Sequence, residues 1–441
     1  MPVTFKKVLL AALVAAWLPQ VLPAQAPATY SVGTIVQVSN GCTGSNKEVE
    51  QAIDTTNGNY VYEAWIGCGG IGFARSTDGG LTWSAPMKLH GTVGAWDPTV
   101  AVAPSGTVYV AYNTKSQTQY YPVVVASFDH GVTFPQSTSL TPPGTGNWGD
   151  RVFLATGPDG TVYATWNYGP DSSLIKLLCT KGGSCSYSAG DLNIVMQKST
   201  DGGLTFGPMT NVSPHYPNGG GIAAPMVIEA GGQIDTYYMA QTVVNTVTDT
   251  LTAGTGRFTD SLDGGQSWAT PKNLEGKVGK TALPTWWVDG AIGIDSAGNL
   301  YTTFDTQGKN SDGSANDIGW FCYSTNHGKS WSAPIQAIPD QLNVPHIMAV
   351  AGGGSGIAYV AWLSPSDSRG YALYLRTYSL TSGWLSDPVT ISTQFGSNSI
   401  WPGDTFGITT VGTNSLMLSW GSAVGGSQNS AIFAVPVQVQ F

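Results

Sequence analysis

One short phrase recurs through this chain and restricts it to a repeat architecture. Residues 76–83 read STDGGLTW. The phrase returns as SFDHGVTF (127–134), STDGGLTF (199–206), SLDGGQSW (261–268) and STNHGKSW (324–331). The shared pattern is S-x-[DN]-x-G-x-[ST]-[WF]. Its third positions, Asp78, Asp129, Asp201, Asp263 and Asn326, lie 51, 72, 62 and 63 residues apart. A unit repeated at this period cannot bury its apolar face alone, so the units must stack or close into a ring.

Each copy lies between two strand-like runs, which makes it a hairpin turn. The Asp side chain is expected to accept backbone N–H groups two or three residues on. The Gly permits a positive φ. The terminal aromatic can fold back over the hydrophobic layer beneath the turn.

A second repeat counts the units. A strand rich in aromatic and β-branched residues occurs seven times: GNYVYEAW (58–65), GTVYVAYN (106–113), GTVYATWN (160–167), GQIDTYYMA (232–240), GNLYTTFD (298–305), GIAYVAWL (356–363) and SLMLSWGS (415–422). Apolar runs such as DPTVAVAP (97–104) and FGITTVGT (406–413) precede them, and third strands such as VVVASF (123–128) follow. This content fits half-buried strands. A sixth, decayed turn reads SLTSGW at 379–384. The first segment after the leader, 31–39, has no partner of its own, so it is expected to complete the last unit. Closure of that kind removes exposed sheet edges.

The turn phrase resembles the Asp-box, or BNR repeat, of sialidases and related β-propellers. The resemblance spans nearly the whole mature chain and implies a β-propeller; with the seven recurring strands, the expectation is an all-β, seven-bladed β-propeller, with six blades as the alternative. Sialidases usually have six blades, so seven leans towards other propellers of this type, such as the xyloglucanase-type modules. The implied role is acting on or binding carbohydrate, as a glycoside hydrolase or as a non-catalytic glycan- or protein-binding propeller. A sialidase also needs three arginines around the sialate carboxylate, because a carboxylate wants planar bidentate donors. This chain has five arginines in all, Arg75, Arg151, Arg257, Arg369 and Arg376, and no Arg-Ile-Pro motif. A complete sialidase site is not supported.

Residues 1–24 read as a signal peptide: Lys6 and Lys7, an apolar run over 8–18, and a cleavage site after Ala24. Residues 25–441 are read as one domain, exported to the periplasm or the medium, and a monomer. The formal charge is −9, or −11 without the two leader lysines. An acidic body argues against nucleic acid and anionic membranes, and no later stretch is long and apolar enough to span a bilayer. The expected partner is a glycan or extracellular polymer. In an oxidising compartment the pairs Cys42–Cys68 and Cys179–Cys185 are plausible disulfides, with Cys322 left as a buried thiol.

Placing the phrase at the outer hairpin of each blade puts it on one face of the ring and the long, varied loops on the other. Loops on a rigid scaffold are where sites are built. On that face a Trp-Asp motif recurs near the start of the innermost strands, at Trp96-Asp97, Trp148-Gly149-Asp150, Trp287-Val288-Asp289 and 401–404. These aspartates tie neighbouring blades together, or they converge around a sugar. Glycosidases need a carboxylate pair and sugars stack on Trp. The candidate catalytic residues are therefore Asp97, Asp150 and Asp289. The candidate ligand-binding residues are Trp148, Arg151, Tyr216, Trp286, Trp287 and Trp401, in a groove over blades two to five. No cofactor is called for, although the loop 310–317 carries oxygen ligands of the kind that suit Ca²⁺.

Overall fold

The computed structural model describes residues 25–441 except 117–118, 142–145, 175, 180–184, 189–190, 215, 218–219, 223–224, 242, 246–249, 252–254, 277, 279–290, 310–314, 340–346, 367–369, 393–401 and 424–428. Seven antiparallel sheets of four or five strands form a seven-bladed β-propeller. In each blade the strands run A to D from the centre outwards. Strand A is Lys47–Ile53 in blade 1, Trp96–Val102 in blade 2 and Trp148–Thr156 in blade 3. It is split into Gly220–Ile222 and Met226–Ile228 in blade 4. Blades 5, 6 and 7 begin with Ala291–Ile294, Ile347–Gly352 and Gly407–Val411.

Seven hydrophobic clusters hold the ring, and each lies between two neighbouring blades. The aromatic residues counted in the second strands are their centres. Trp65, Trp166, Trp362 and Trp420 are fully buried, as are Tyr109, Tyr237 and Tyr301. Burying such a ring removes a large apolar surface from water, which is the main favourable contribution to folding.

The N-terminal segment closes the ring as expected. Thr29–Val32 and Val36–Gln37 pair with the third strand of blade 7, Ser430–Gln440. The break between the two pieces falls opposite Pro436, whose carbonyl accepts from Gly33 N–H at 2.9 Å. In an antiparallel pair the N and C=O of one residue face the same neighbour. Pro436 therefore lacks its N–H on the outer side, where the strand is already interrupted. A disulfide between Cys42 and Cys68 fastens the connection from blade 7 to blade 1. Cys179 and Cys185 stand opposite each other in a two-stranded hairpin, but their side chains lie outside the described residues. Cys322 is buried and free.

The repeated turn differs in one respect from its sequence reading. The Asp does not serve mainly the N–H groups two or three residues on. Asp78, Asp129, Asp201 and Asp263 each accept from the N–H four residues on, at 2.8, 2.8, 2.9 and 2.9 Å. The nearer work falls to the leading Ser. Its Oγ accepts from the turn Gly at 2.8–3.0 Å and donates to the Asp or Asn at 2.7–3.0 Å. The reason is reach: the Ser lies behind the turn and its hydroxyl both donates and accepts, while an ionised carboxylate only accepts. In the decayed copy, Thr381 replaces the Asp and shares a hydroxyl bond of 2.9 Å with Ser379.

The turn Gly has a second role that sequence did not suggest. A Cβ on Gly80 would lie 2.0 Å from Met417 of blade 7. On Gly131 it would meet Phe73 of blade 1 at 2.9 Å, and on Gly265 Met196 of blade 3 at 1.8 Å. On Gly328 it would meet Phe258 of blade 4 at 2.2 Å. Each turn thus seats its glycine against the preceding blade. Gly328→Ala is expected to cost about 2–4 kcal/mol, combining a left-handed backbone with overpacking against a buried ring. Thermal or denaturant unfolding would measure it, and a loss below about 1 kcal/mol would show that the joint is not closely packed.

Candidate functional site

The start of strand A departs from regular pairing in a repeated way. In blade 1 the pairing of strands A and B shifts between Lys47 and Val49, in blade 2 between Trp96 and Thr99, and in blade 3 between Asp150 and Phe153. Each shift holds one non-glycine residue in the left-handed region: Glu48 at φ 55°, Asp97 at 46° and Arg151 at 50°. In blade 7, Gly403 holds φ 108° just before strand A. Non-glycine residues in this region cost about 1–2 kcal/mol each and cluster at functional sites. Three in succession, all ionisable, mark the channel mouth on the varied face.

Their side chains meet. Asp97 lies against Glu48 on one side and Asp150 on the other. Trp96 Nε1 donates to Asp150 Oδ1 at 2.7 Å, from blade 2 to blade 3. Arg151 Nη2 reaches Asp404 Oδ2 at 2.6 Å. Burial, then Asp150 and Glu48 beside it, pushes Asp97 well above the ordinary carboxylate range, with Arg151 opposing. Burial and the nearby Asp404 raise Glu48. Burial raises Asp150 against the pull of Arg151 and of its hydrogen bonds. Three carboxyls in contact cannot all ionise, so the cluster retains a proton at neutral pH.

Asp97, Asp150 and Arg151 therefore come together as the sequence reading grouped them. Trp148 is beside them but only 5% exposed, with its ring 4.8 Å from that of Tyr120. Tyr216 pairs by backbone with Leu192, and its side chain lies outside the described residues. Asp289, Trp286, Trp287, Trp401 and most of the 310–317 loop also lie outside them. Among the described residues the cluster belongs to blades 7, 1, 2 and 3 rather than to a groove over blades two to five. Sequence reasoning placed Asp404 in the recurring motif at 401–404 without naming it as a candidate, and it missed Glu48. The available signal was positional, since Glu48 sits one residue before the apolar Val49 at the start of strand A, at the same kind of register shift that holds Asp97. No group of His, Cys, Asp and Glu among the described residues could hold a metal ion.

Below the mouth the channel encloses a cavity of about 260 Å³. Its wall takes residues from all seven blades, among them Glu50, Thr99, Phe153, Met226, Ile292, Ile347 and Phe406. The arginines of the described residues other than Arg151 are engaged away from it. Arg75 donates to His130 O, Arg257 to Thr255 Oγ1, and Arg376 to Ser386 O and Ala337 O.

No protein-family model and no curated protein matches the sequence. Solved structures match by shape. A PL25 ulvan lyase bound to a -[GlcA(1-4)Rha3S]- chain shares 13% identity, covering 90% of this chain and 95% of that one, at a TM-score of 0.56. The GH93 α-L-arabinofuranosidase of Fusarium graminearum with arabinobiose shares 11%, covering 92% and 97%, at 0.52. The Penicillium chrysogenum α-L-arabinanase complexed with arabinobiose shares 13%, covering 78% and 93%, at 0.53. At these identities the likeness is one of fold.

A second carboxyl cluster lies on the turn face, between blades 4 and 5. Burial raises Asp235 to about 8, with Glu229 adding to the shift and a bond from Gln233 opposing it. Glu229 in turn meets His327 at 2.5 Å. The exposed turn aspartates shift the other way: hydrogen bonds from Thr133, Thr205 and Ser267 hold Asp129, Asp201 and Asp263 at about 2.

Both signs bear on stability through proton linkage. The native state keeps a proton on Asp235 from about pH 4, where an unfolded Asp loses it, up to about 8. Stability therefore falls as pH rises through that window. The turn aspartates lose their contribution as pH falls from about 4 towards 2. The melting temperature should peak near pH 4–5 and decline to pH 8, and Asp235→Asn should flatten the upper limb. A melting temperature that rises from pH 5 to 8 would contradict this assignment.

Proposed function

We propose that the protein is an exported, carbohydrate-active propeller that cleaves glycosidic bonds at the channel mouth. The observation that carries this reading is the Glu48–Asp97–Asp150 cluster, three carboxyls gathered at the strained starts of strands A, each raised by burial. Glycoside hydrolysis needs that combination: a carboxylic acid to protonate the leaving oxygen, and a carboxylate to attack the anomeric carbon or activate water. Asp97 touches both neighbours, so it holds the shared proton.

The shape relatives support a glycan as substrate, since they include an arabinofuranosidase, an arabinanase and a polysaccharide lyase. The Cys42–Cys68 disulfide supports an oxidising compartment. Sialate is disfavoured, because Arg75, Arg257 and Arg376 are engaged elsewhere. A non-catalytic glycan-binding propeller is the second reading, favoured by the Trp96–Asp150 bond, which ties two blades whether or not chemistry occurs.

A glycan array followed by reducing-end release on the hits would test the proposal. Asp97→Asn and Asp150→Asn should each lower kcat by about 10²–10⁴, the usual contribution of general acid–base catalysis, while the protein stays folded. Binding without release would favour the second reading. Full turnover in both variants would remove the cluster from the chemistry.

A further inference from the structure

Arg151 and Asp404 belong to blades that are not neighbours. Around the ring, blade 3 is separated from blade 7 by blades 1 and 2 on one side, and by blades 4, 5 and 6 on the other. A contact of 2.6 Å between them is therefore a chord across the channel mouth. The strand-A starts of blades 1 and 2, carrying Glu48 and Asp97, lie on the arc beneath it. Both side chains of the pair are largely buried, at 12% and 16% exposure, and Asp404 also lines the cavity below.

The backbone is shaped to allow this chord. Gly403 carries the chain over the left-handed residue of blade 1. Glu48 N–H donates to Pro402 O at 3.2 Å, and a Cβ on Gly403 would lie 2.2 Å from Glu48 N. Only glycine fits there, at φ 108°. The close approach brings the charge of Asp404 to bear on Glu48, while Arg151 acts on Glu48, Asp97 and Asp150 together.

We infer that Asp404 is a counter-ion that holds the Arg151 guanidinium across the mouth and tempers its field on the carboxyls of Glu48, Asp97 and Asp150. A cation beside three carboxyls draws each towards its ionised form. Left without a counter-ion, Arg151 would act at full charge and strip the proton. With Asp404 against it, the guanidinium still closes the mouth, and its field on the cluster is partly cancelled. Both are positioning residues: they act through the carboxyls and need not touch a substrate. Among the described residues the other charged or titratable groups near the cluster are Lys47 of blade 1, Glu50, which lines the cavity below with Asp404, and Tyr120, which packs on Trp96 in blade 2.

This inference rests on the reading of Asp97 as the site's proton carrier. Its test reads proton binding without substrate, so its failure is distinguishable from a failure to cleave glycans. The melting temperature of the full chain would be followed from pH 4 to 9 for wild type, Arg151→Met, Asp404→Asn and the double variant. Raised carboxyls make stability fall with rising pH. The slope of that fall, rather than its absolute level, carries the answer, because Asp235, Glu63 and Glu275 contribute the same background to every variant. Arg151→Met should carry the decline about one pH unit higher and Asp404→Asn about one unit lower, the scale of a neighbouring charge. The double variant should return close to wild type. Shifts in one common direction, or a double variant that does not return, would overturn the counter-ion role. Should a charge variant not fold, Asp404→Glu keeps the charge with one more methylene. It should leave the profile close to wild type, and a shift of about one pH unit would count against the inference.

Discussion

The ring depends on how each blade is seated against the one before it. The contact is made by the glycine of the repeated turn, which has no side chain where the preceding blade presents Met417, Phe73, Tyr109, Met196 or Phe258. Polar bonds run across the same joints. Thr138 Oγ1 donates to Gly203 O, Lys198 Nζ to Gly264 O, Thr210 Oγ1 to Gly265 O and Lys272 Nζ to Gly328 O. The Asp and Ser of the phrase satisfy the turn from within. Its glycine and carbonyls are left free to fit the neighbour. A turn that carries its own hydrogen bonds can be presented as a rigid knob, and a rigid knob fixes the angle between blades. The seven interblade clusters then bury the large aromatic residues that supply most of the stabilisation.

This division of labour explains which features were legible in the sequence. Local hydrogen bonding and strand periodicity leave marks within ten residues, so the turns, the strands and the count of seven could be read directly. Ring closure by residues 29–37 could be read from the strand arithmetic. The inward seating of the glycines could not. It joins residues such as Gly80 and Met417, far apart in sequence, and a positive φ alone already accounts for a glycine in a turn. The second explanation is visible only once the blades are adjacent.

The site obeys the same logic. Asp97, Asp150 and Arg151 were legible because each stands in or next to a repeated Trp-Asp motif. Glu48 and Asp404 were harder to place. Glu48 has Lys47 where blade 2 has Trp96, which hides the equivalence. Asp404 matters through Arg151, 253 residues away, on a blade that sequence order sets far from blade 3. What unites Glu48, Asp97 and Arg151 is backbone conformation at the start of strand A, and a φ near +50° has no reliable signature when the residue is Glu, Asp or Arg.

The repeated turns and the channel mouth use carboxylates in opposite ways. At the turns, solvent is close and several donors converge on each Asp, so the ionised form is favoured. At the mouth, donors are few, carboxyls face one another and water is excluded, so the protonated form is favoured. The first arrangement stabilises the fold and suits repetition, because every member is satisfied locally. The second holds strained backbone and carboxyls raised first by burial and then by one another. It cannot be repeated around the ring without accumulating like charge, and among the described residues it occupies one arc only. Departure from the repeat is therefore itself the physical signature of the site: charge that cannot be satisfied locally must be balanced across the channel, and the Arg151–Asp404 chord supplies that balance.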